Sequence, residues 1–460
     1  MTEQTDAPTT DETVEPATGR RLRLSVIGTG YLGATHAAAM AELGFDVVGV
    51  DVDPAKVAAL SAGEVPFYEP GLPELLVRGV DSGRLRFTTD LAEAAAFADV
   101  HFVCVGTPQR PGSNGADLRY VEAAFEGLAQ HLTHDALLVG KSTVPVGTGA
   151  RLAARVREIA PAGLRVELAW NPEFLREGKA VQDTLTPDRV VVGGASEWGD
   201  DLLRQVYARA VADGTPFIAT DLPTAELVKV SANAFLATKI SFINAISQVC
   251  DKAGADVTVL ADALGHDVRI GRQFLNAGLG FGGGCLPKDI RALMHRAGEL
   301  GADSLVDLMQ DVDEINMWQR QRVIDMAVQA CGGSVLNRRI GVLGAAFKPD
   351  TDDVRDSPAL NVAAGLHLRG AQVVVFDPKA GDTGKRIFPS LTYGASTEEA
   401  VTGADVVLVL TEWPEFRTAD PSALLELTKP GATVIDARNC LPVDAWREAG
   451  WTYRGLGAAR

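Results

Sequence analysis

Hydrophobic residues in this chain come in short, nearly unbroken runs, separated by helical stretches and by turns rich in glycine, proline and aspartate. Residues 23–28 (RLSVIG), 46–50, 99–105, 136–140, 189–193 and 215–219 read as strands buried on both faces, and 168–170 ends another. A helical pattern over 34–43 fills the gap between the first two runs and stops at Gly44. From Asp221 the period changes. Asp221, Pro223 and Glu226 make a capped start, and the helical pattern runs to about Ala253 without a breaker, long for a globular domain. Another helical stretch over 305–317 leads to a break at Gly332-Gly333. Strand-like runs then return at 339–344 (RIGVLG), 372–377 (QVVVFD), 404–410 and 433–436, echoing the first series in order and spacing. The pattern predicts an α/β fold, two Rossmann-like doubly wound domains joined by a long central helix. Its divisions are an acidic, disordered tail over 1–20, a first Rossmann domain over 21–220, a central helical domain over 221–330, and a second Rossmann-like domain over 331–460.

The first strand ends in Gly28-Thr-Gly30-Tyr31-Leu32-Gly33, and Asp51 closes the second. In this arrangement Gly28 makes the turn, Gly30 lets a diphosphate approach, Gly33 lets helix and strand pack, and the acid binds ribose hydroxyls. Strand before, helix after and acid at this distance predict a dinucleotide site. No arginine follows Asp51 directly, which favours NAD over NADP, although Lys56 could accept a phosphate. The strand-end turns at Thr107-Pro108 and Ser142-Thr143 fall where the ligand crevice of a doubly wound sheet opens, or else they cap helices. Glu173 and Glu177 are four apart and would share one face of a short helix, turned to the site or to solvent.

Lys229 and Asn233 share a face of the long, mostly apolar helix, where buried polar groups need partners; an exposed polar stripe is the alternative. Beyond it, Arg269, Arg272 and Phe274 around Gly271 make a seat for a diphosphate and a ring, with Asn276 close behind. Residues 281–289, FGGGCLPKD, organise the rest. Three glycines, Gly282 first, deliver the backbone to Cys285 and let a ligand approach the main chain. Pro287 marks a helix start, so the helix N-terminus and Lys288 would favour the Cys285 thiolate, and Asp289 could handle a proton or a water. A nicotinamide oxidises an alcohol to an aldehyde without a cysteine. A thiolate becomes useful for the next oxidation, through a thiohemiacetal and a thioester. These parts predict a four-electron alcohol-to-carboxylate oxidation using two NAD. Lys229 and Asn233 would stabilise the oxyanion, and Asp289, with Thr143 and Glu173, would position water. In the second Rossmann-like unit the glycine fingerprint is absent. Lys348 and Arg355 stand in its place, to bind phosphates, to reach the cofactor, or simply to pair with the aspartates around them. A two-electron hydroxyacid dehydrogenase would use one NAD and no Cys285, and a non-enzymatic NAD-binding regulator would need none of the central residues.

Composition narrows the partners. The chain has 460 residues, 46% hydrophobic, and a formal net charge of −17, which argues against nucleic acid or an anionic membrane. Five scattered cysteines fit a reducing cytoplasm without a disulfide framework, and seven unclustered histidines predict no metal site. No apolar run approaches the length of a membrane span.

The segments GTGYLG, STVPVG, NPEFLREG, LVKVSANAFLATKISFINAIS, RIG, GFGGGCLPKD and FKPDTDDVRDSP, in this order, resemble the UDP-glucose/GDP-mannose dehydrogenase family over nearly all of the chain after its first twenty residues. The resemblance implies NAD on the N-terminal domain, contacting Tyr31, Leu32, Lys56, Thr107, Thr143, Glu177, Lys288 and Arg355 besides the fingerprint. It implies a central helix that supports a homodimer or higher homo-oligomer, and a C-terminal domain that binds the nucleotide. It makes Cys285 the nucleophile, with Lys229, Asn233, Asp289, Thr143 and Glu173 around it. Phe174, Leu175, Arg269, Phe274, Asn276, Phe281, Gly282, Phe347 and Lys348 would contact a UDP-sugar. The Arg269-Ile-Gly271 run resembles the UDP-glucose enzymes of the family more than those for GDP-mannose or UDP-N-acetylmannosamine. Gly284 stands where the family often has serine, and Asn276 where some relatives have lysine.

Overall fold

The computed structural model describes residues 21–457, so the acidic tail expected over 1–20 lies outside the described residues. Eight strands form the first sheet: β1 (Arg23–Ile27), β2 (Asp46–Val50), β3 (Leu85–Thr88), β4 (Val100–Val103), β5 (Ala136–Gly140), β6 (Val166–Trp170), β7 (Val190–Gly193) and β8 (Phe217–Thr220). Their order is β3-β2-β1-β4-β5-β6-β7-β8. Pairing is parallel throughout except between β6 and β7, which meet antiparallel at Trp170–Gly193. The chain runs outward from β1 to β3, then crosses back to lay β4 on the other side of β1. That reversal opens a crevice at the C-terminal ends of β1 and β4.

Six strands repeat the scheme: β9 (Arg339–Leu343), β10 (Gln372–Phe376), β11 (Thr392–Tyr393), β12 (Val406–Val409), β13 (Thr433–Asp436) and β14 (Thr452–Gly455), in the order β11-β10-β9-β12-β13-β14. All are parallel, with the reversal between β9 and β12. The central strands β4, β5, β7 and β12 are buried along their whole length because helices cover both faces of a parallel sheet, hence the unbroken apolar runs.

The long central helix spans Leu222–Ala253, 32 residues or about 48 Å. Asp221 caps its start, accepting from Thr224 N at 2.7 Å, and Gly254 ends it at φ 73°. Its buried face carries small and polar residues (Ala225, Lys229, Asn233, Ala237, Ser241, Asn244) that let two more helices pack closely. These are the cysteine helix, Leu286–Glu299, and a bracing helix, Asp303–Ala330. The bracing helix has 28 residues, far more than the 305–317 expected, because its later apolar positions pack on the C-terminal core. The short helix expected around Glu173 and Glu177 does not form. Residues 171–176 have no regular secondary structure: Pro172, near their start, disfavours a helix, and Gly178 just beyond them sits at φ 82°.

Candidate active site

Cys285 occupies the N-cap position of the cysteine helix, and its thiol makes no capping bond. The three glycines before it are required by packing. A Cβ at Gly282 would lie 2.4 Å from Asp356 O, at Gly283 2.8 Å from the Phe347 ring, and at Gly284 2.3 Å from Arg355 Cζ. What approaches this backbone is the 347–358 segment of the C-terminal unit. The bracing helix holds the loop from behind: Phe281 N donates to Asn316 Oδ1 at 2.7 Å, and Phe281 O accepts from Asn316 Nδ2 at 3.0 Å and from Arg320. The Phe281 ring packs with Val230, Ile290 and Leu293. Phe281 and Gly282, expected to contact substrate, are both buried in this packing.

Two polar pairs from the long helix face this loop. The Lys229 ammonium lies 3.1 Å from Glu173 Oε1, and Glu173 Oε2 accepts from Leu175 N at 2.8 Å. Asn233 Nδ2 donates to Asp289 Oδ2 at 2.7 Å, while Lys288 Nζ donates to Asp289 Oδ1 at 2.5 Å and reaches Thr107 Oγ1 at 3.4 Å. Thr107 Oγ1 donates to Thr143 O at 2.8 Å, so the two strand-end turns join the cluster and cap no helix. Lys229, Asn233 and Asp289 are all buried, which rules out a solvated stripe. Glu226, one turn before Lys229, accepts from Gly147 N and Gly149 N at 2.7 and 2.6 Å and fastens the Thr143 turn to the long helix.

The thiol differs from the sequence expectation. Cys285 is exposed as a residue, but its thiol is deeply surrounded by protein. Desolvation first, then the charges of Glu173, Asp289 and Glu177, push it up to about 12, against the pull of Lys229. At rest it is a thiol, and the cation acting on it is Lys229; Lys288 is turned to Asp289. Burial opposes the charge on Lys229, but the nearby acids, Glu173 and then Asp289, more than offset this and hold the ammonium above its ordinary value.

The glycine turn after β1 suits a dinucleotide. Gly28 has φ +88°, a Cβ on Gly33 would lie 1.8 Å from Gly28 O, and Gly30 has open space beside it. The helix it starts, Tyr31–Glu42, has neither a side-chain cap nor an acid in its first turn, leaving its amides for an anion. Asp51 accepts from Thr29 N at 2.9 Å, Thr29 Oγ1 at 3.0 Å and Asp53 N at 3.1 Å. Lys56 Nζ sits 2.9 Å from the same carboxylate and pairs with it. Burial alone would raise the Asp51 pKa; Lys56 and the Thr29 and Asp53 amides hold it lower than usual. Leu32, Glu173, Phe174 and Leu175 line one cavity beside this turn, with Lys229 Nζ 5.7 Å from the Phe174 ring centre.

The C-terminal loop closes the site from the other side. Arg355 bonds Asp353 at 2.7 Å and Glu177 Oε1 at 3.0 Å, and Lys348 Nζ donates to Glu177 O. Arg355 thus pairs with an aspartate of its own loop and also with Glu177 of the first unit. Burial and Asp353 push Glu177 up to about 7, against Arg355 and Lys348, and burial lowers the Lys348 pKa. The 266–276 loop stands apart. Arg269 is exposed and paired with Asp267 at 2.6 Å, Asn276 Oδ1 accepts from Arg272, and Phe274 sits at φ 63°. The loop is tethered at Lys239, so Arg269, Phe274 and Asn276 are not brought into the Cys285 cluster of their own chain. The site depends too on Asn316, Arg320, Glu226 and Arg438, which the sequence reading missed. Arg438 bonds Gly280 O and Phe347 O at 3.1 Å. A usable signal existed for two of them: Asn316 and Arg320 fall on the apolar stripe of the bracing helix, alongside Val312 and Val323.

Among the described residues there is no His/Cys/Asp/Glu group fit for a metal and no helix long and apolar enough to cross a membrane. Residues 22–211 match the NAD binding domain of the UDP-glucose/GDP-mannose dehydrogenase family, 223–318 its central domain and 341–443 its UDP binding domain. The UDP-glucose 6-dehydrogenase of Rhizobium meliloti (strain 1021) is 40% identical over 438 residues, covering 95% of this chain and 99% of that protein. UDP-glucose 6-dehydrogenase TuaD of Bacillus subtilis (strain 168) is 40% identical over 436 residues, covering 95% and 93%. Among solved structures, a UDP-glucose dehydrogenase from the archaeon Pyrobaculum islandicum superposes with a TM-score of 0.89 at 39% identity, covering 97% of this chain and all of that one.

Proposed function

The chain belongs to the UDP-glucose/GDP-mannose dehydrogenase family, and from that premise we propose that it oxidises UDP-glucose to UDP-glucuronate with two NAD, through a covalent adduct on Cys285. What carries this reading is the convergence of Cys285, Lys229 with Glu173, and the Asn233–Asp289 pair from three separate segments. NAD supplies the two hydride acceptances, held by the Gly28–Gly33 turn and Asp51. Lys229 and Asn233 stabilise the oxygen that carries negative charge as the alcohol becomes an aldehyde. Cys285 Sγ then bonds to the aldehyde carbon while the thiol proton passes to the carbonyl oxygen, which Lys229 and Asn233 hold. The second oxidation leaves a thioester. Water held at Asp289 breaks the C–S bond, releasing the carboxylate and restoring the thiol. One alcohol, two NAD and one water give one carboxylate, two NADH and three protons. Phe174, Leu175, Phe347 and Lys348 are assigned to the sugar nucleotide, and Thr107, Thr143, Glu177, Lys288 and Arg355 to the meeting of cofactor and substrate.

A nucleotide-sugar panel tests the substrate. NADH formation from UDP-glucose should exceed that from GDP-mannose or UDP-N-acetylmannosamine by about 100-fold in kcat/KM; equal or reversed preference contradicts the assignment.

The exposed face of the long helix supports a dimer. Phe235 (66% exposed), Phe242 (50%) and Val249 (60%) recur every seven residues, an apolar stripe suited to a second copy of the chain. Phe242→Asp should raise the dissociation constant measured by analytical ultracentrifugation; an unchanged monomer–dimer equilibrium excludes this face. Five free cysteines, one of them the nucleophile, support a reducing cytoplasm, where enzyme fractionation would find it.

A further inference from the structure

Three aspartates in the C-terminal loop lie almost side by side and make different contacts. Asp353 pairs with Arg355 inside its own loop, and Asp350 lays its main chain against Gly178. Asp352 turns wholly to the other Rossmann unit. Its Oδ1 accepts from Tyr31 Oη at 2.7 Å and from Tyr68 N at 3.1 Å. Tyr31 directly follows Gly30, so the acid is bonded to the cofactor turn itself. The Tyr31 ring also packs tilted against Phe67, with ring centres 4.3 Å apart, and lies 5.6 Å from the Arg355 guanidinium. Lys379, after β10, sits 4.6 Å from the Tyr68 ring centre. The loop held in this way places Phe347 on Gly283 and brings Lys348 and Arg355 to Glu177.

We propose that Asp352 is a positioning residue that couples the two binding domains. By seating the 347–356 loop on the Tyr31 turn, it makes occupancy of either domain favour binding at the other. The physical basis is linkage. A ligand that orders one side of a shared contact removes part of the ordering cost from the other side, and the effect is reciprocal. The inference rests on the reading that the C-terminal unit binds the UDP moiety.

The test is calorimetric titration of NAD into the full-length protein, with and without saturating UDP, for wild type, Asp352→Ala, Asp352→Asn, Tyr31→Phe and the Asp352→Ala/Tyr31→Phe double variant. In the wild type, UDP should tighten NAD binding by about tenfold. Asp352→Ala should bring that factor close to one. Asp352→Asn keeps an acceptor oxygen in place and should restore most of it, and the double variant should lose no more than Asp352→Ala alone. A merely structural acid would shift the melting temperature and leave the factor intact. An undiminished factor in folded Asp352→Ala, or in Tyr31→Phe should the alanine variant not fold, overturns the proposal. A wild type that binds UDP without tightening NAD overturns it also, while leaving the nucleotide-domain reading in place. A wild type that does not bind UDP overturns both.

Discussion

The two Rossmann-like units begin alike and diverge within a few residues. In each, a glycine with positive φ ends the first strand and donates to the end of the second: Gly28 N to Val50 O at 2.7 Å, Gly344 N to Phe376 O at 2.8 Å. In each, an acid follows that second strand and accepts the amides after the glycine. Asp51 takes Thr29 N at 2.9 Å, and Asp377 takes Ala345 N and Ala346 N at 2.7 and 2.9 Å. The difference is what lies on the acid's other side. Asp51 meets Lys56, a partly exposed side chain that can move aside. Asp377 is closed off by the Trp413 indole at 3.1 Å and by the amides of Lys379 and Ala380. In the first unit the helix starts at Tyr31, three residues past Gly28; in the second it waits until Pro358, past a long loop. One scaffold thus binds a ligand at its turn. The other uses its acid as a strut and lends its loop to a site shared with Cys285.

Removing each acid should separate these roles most strongly. Asp377→Ala leaves four amides, three of them buried, and an indole without an acceptor and should cost about 3 kcal/mol or more of stability by chemical denaturation. Asp51→Ala should cost less stability but weaken NAD binding by about tenfold or more in a titration. Equal loss of stability from both, with no change in NAD affinity, would erase the distinction.

The glycines sharpen it next. Gly344 has φ 111°, and a Cβ there would lie 2.4 Å from Thr411 Oγ1, so Gly344→Ala should cost about 2–4 kcal/mol. Gly30 has ordinary φ and nothing within 4 Å, so Gly30→Ala should leave stability within about 0.5 kcal/mol and act on NAD affinity alone.

The smallest effect concerns the contact between the units. Folding raises the pKa of Glu177 to about 7, mainly through burial, so the folded state favours its protonated form. Its stabilising share is present below the ordinary carboxylate pKa and is lost as pH rises through 7. The melting temperature of wild type relative to Glu177→Gln should therefore fall by about 2 °C between pH 6 and pH 8; a rise would reverse the sign.

Much of this was legible in the residues because it is local. Gly28, Gly30, Gly33 and Asp51 lie within one βαβ unit, and the caps Asp221 and Gly254 bound the long helix. The strands of the second unit were readable as a repeat of the first. What was not legible comes from chain segments far apart in sequence. Nothing around Gly282–Gly284 announces that Phe347, Arg355 and Asp356 fill the space beside them. The local signals at Cys285, a helix start and Lys288, favour a thiolate. The desolvation and the acids that raise the thiol arrive from other segments, Glu173 and Glu177 among them. Spacing suggested a helix for those two glutamates, and an irregular chain sends them to different cations, Lys229 and Arg355.

The most direct test of the covalent route is a single-turnover count of NADH, with enzyme in excess over UDP-glucose and NAD saturating, for wild type and Cys285→Ser. The expected result is two NADH and UDP-glucuronate from the wild type, and no more than one NADH and no acid from the serine variant. Two NADH and full acid yield from Cys285→Ser at the wild-type rate, or a wild type that halts after one NADH, would contradict it.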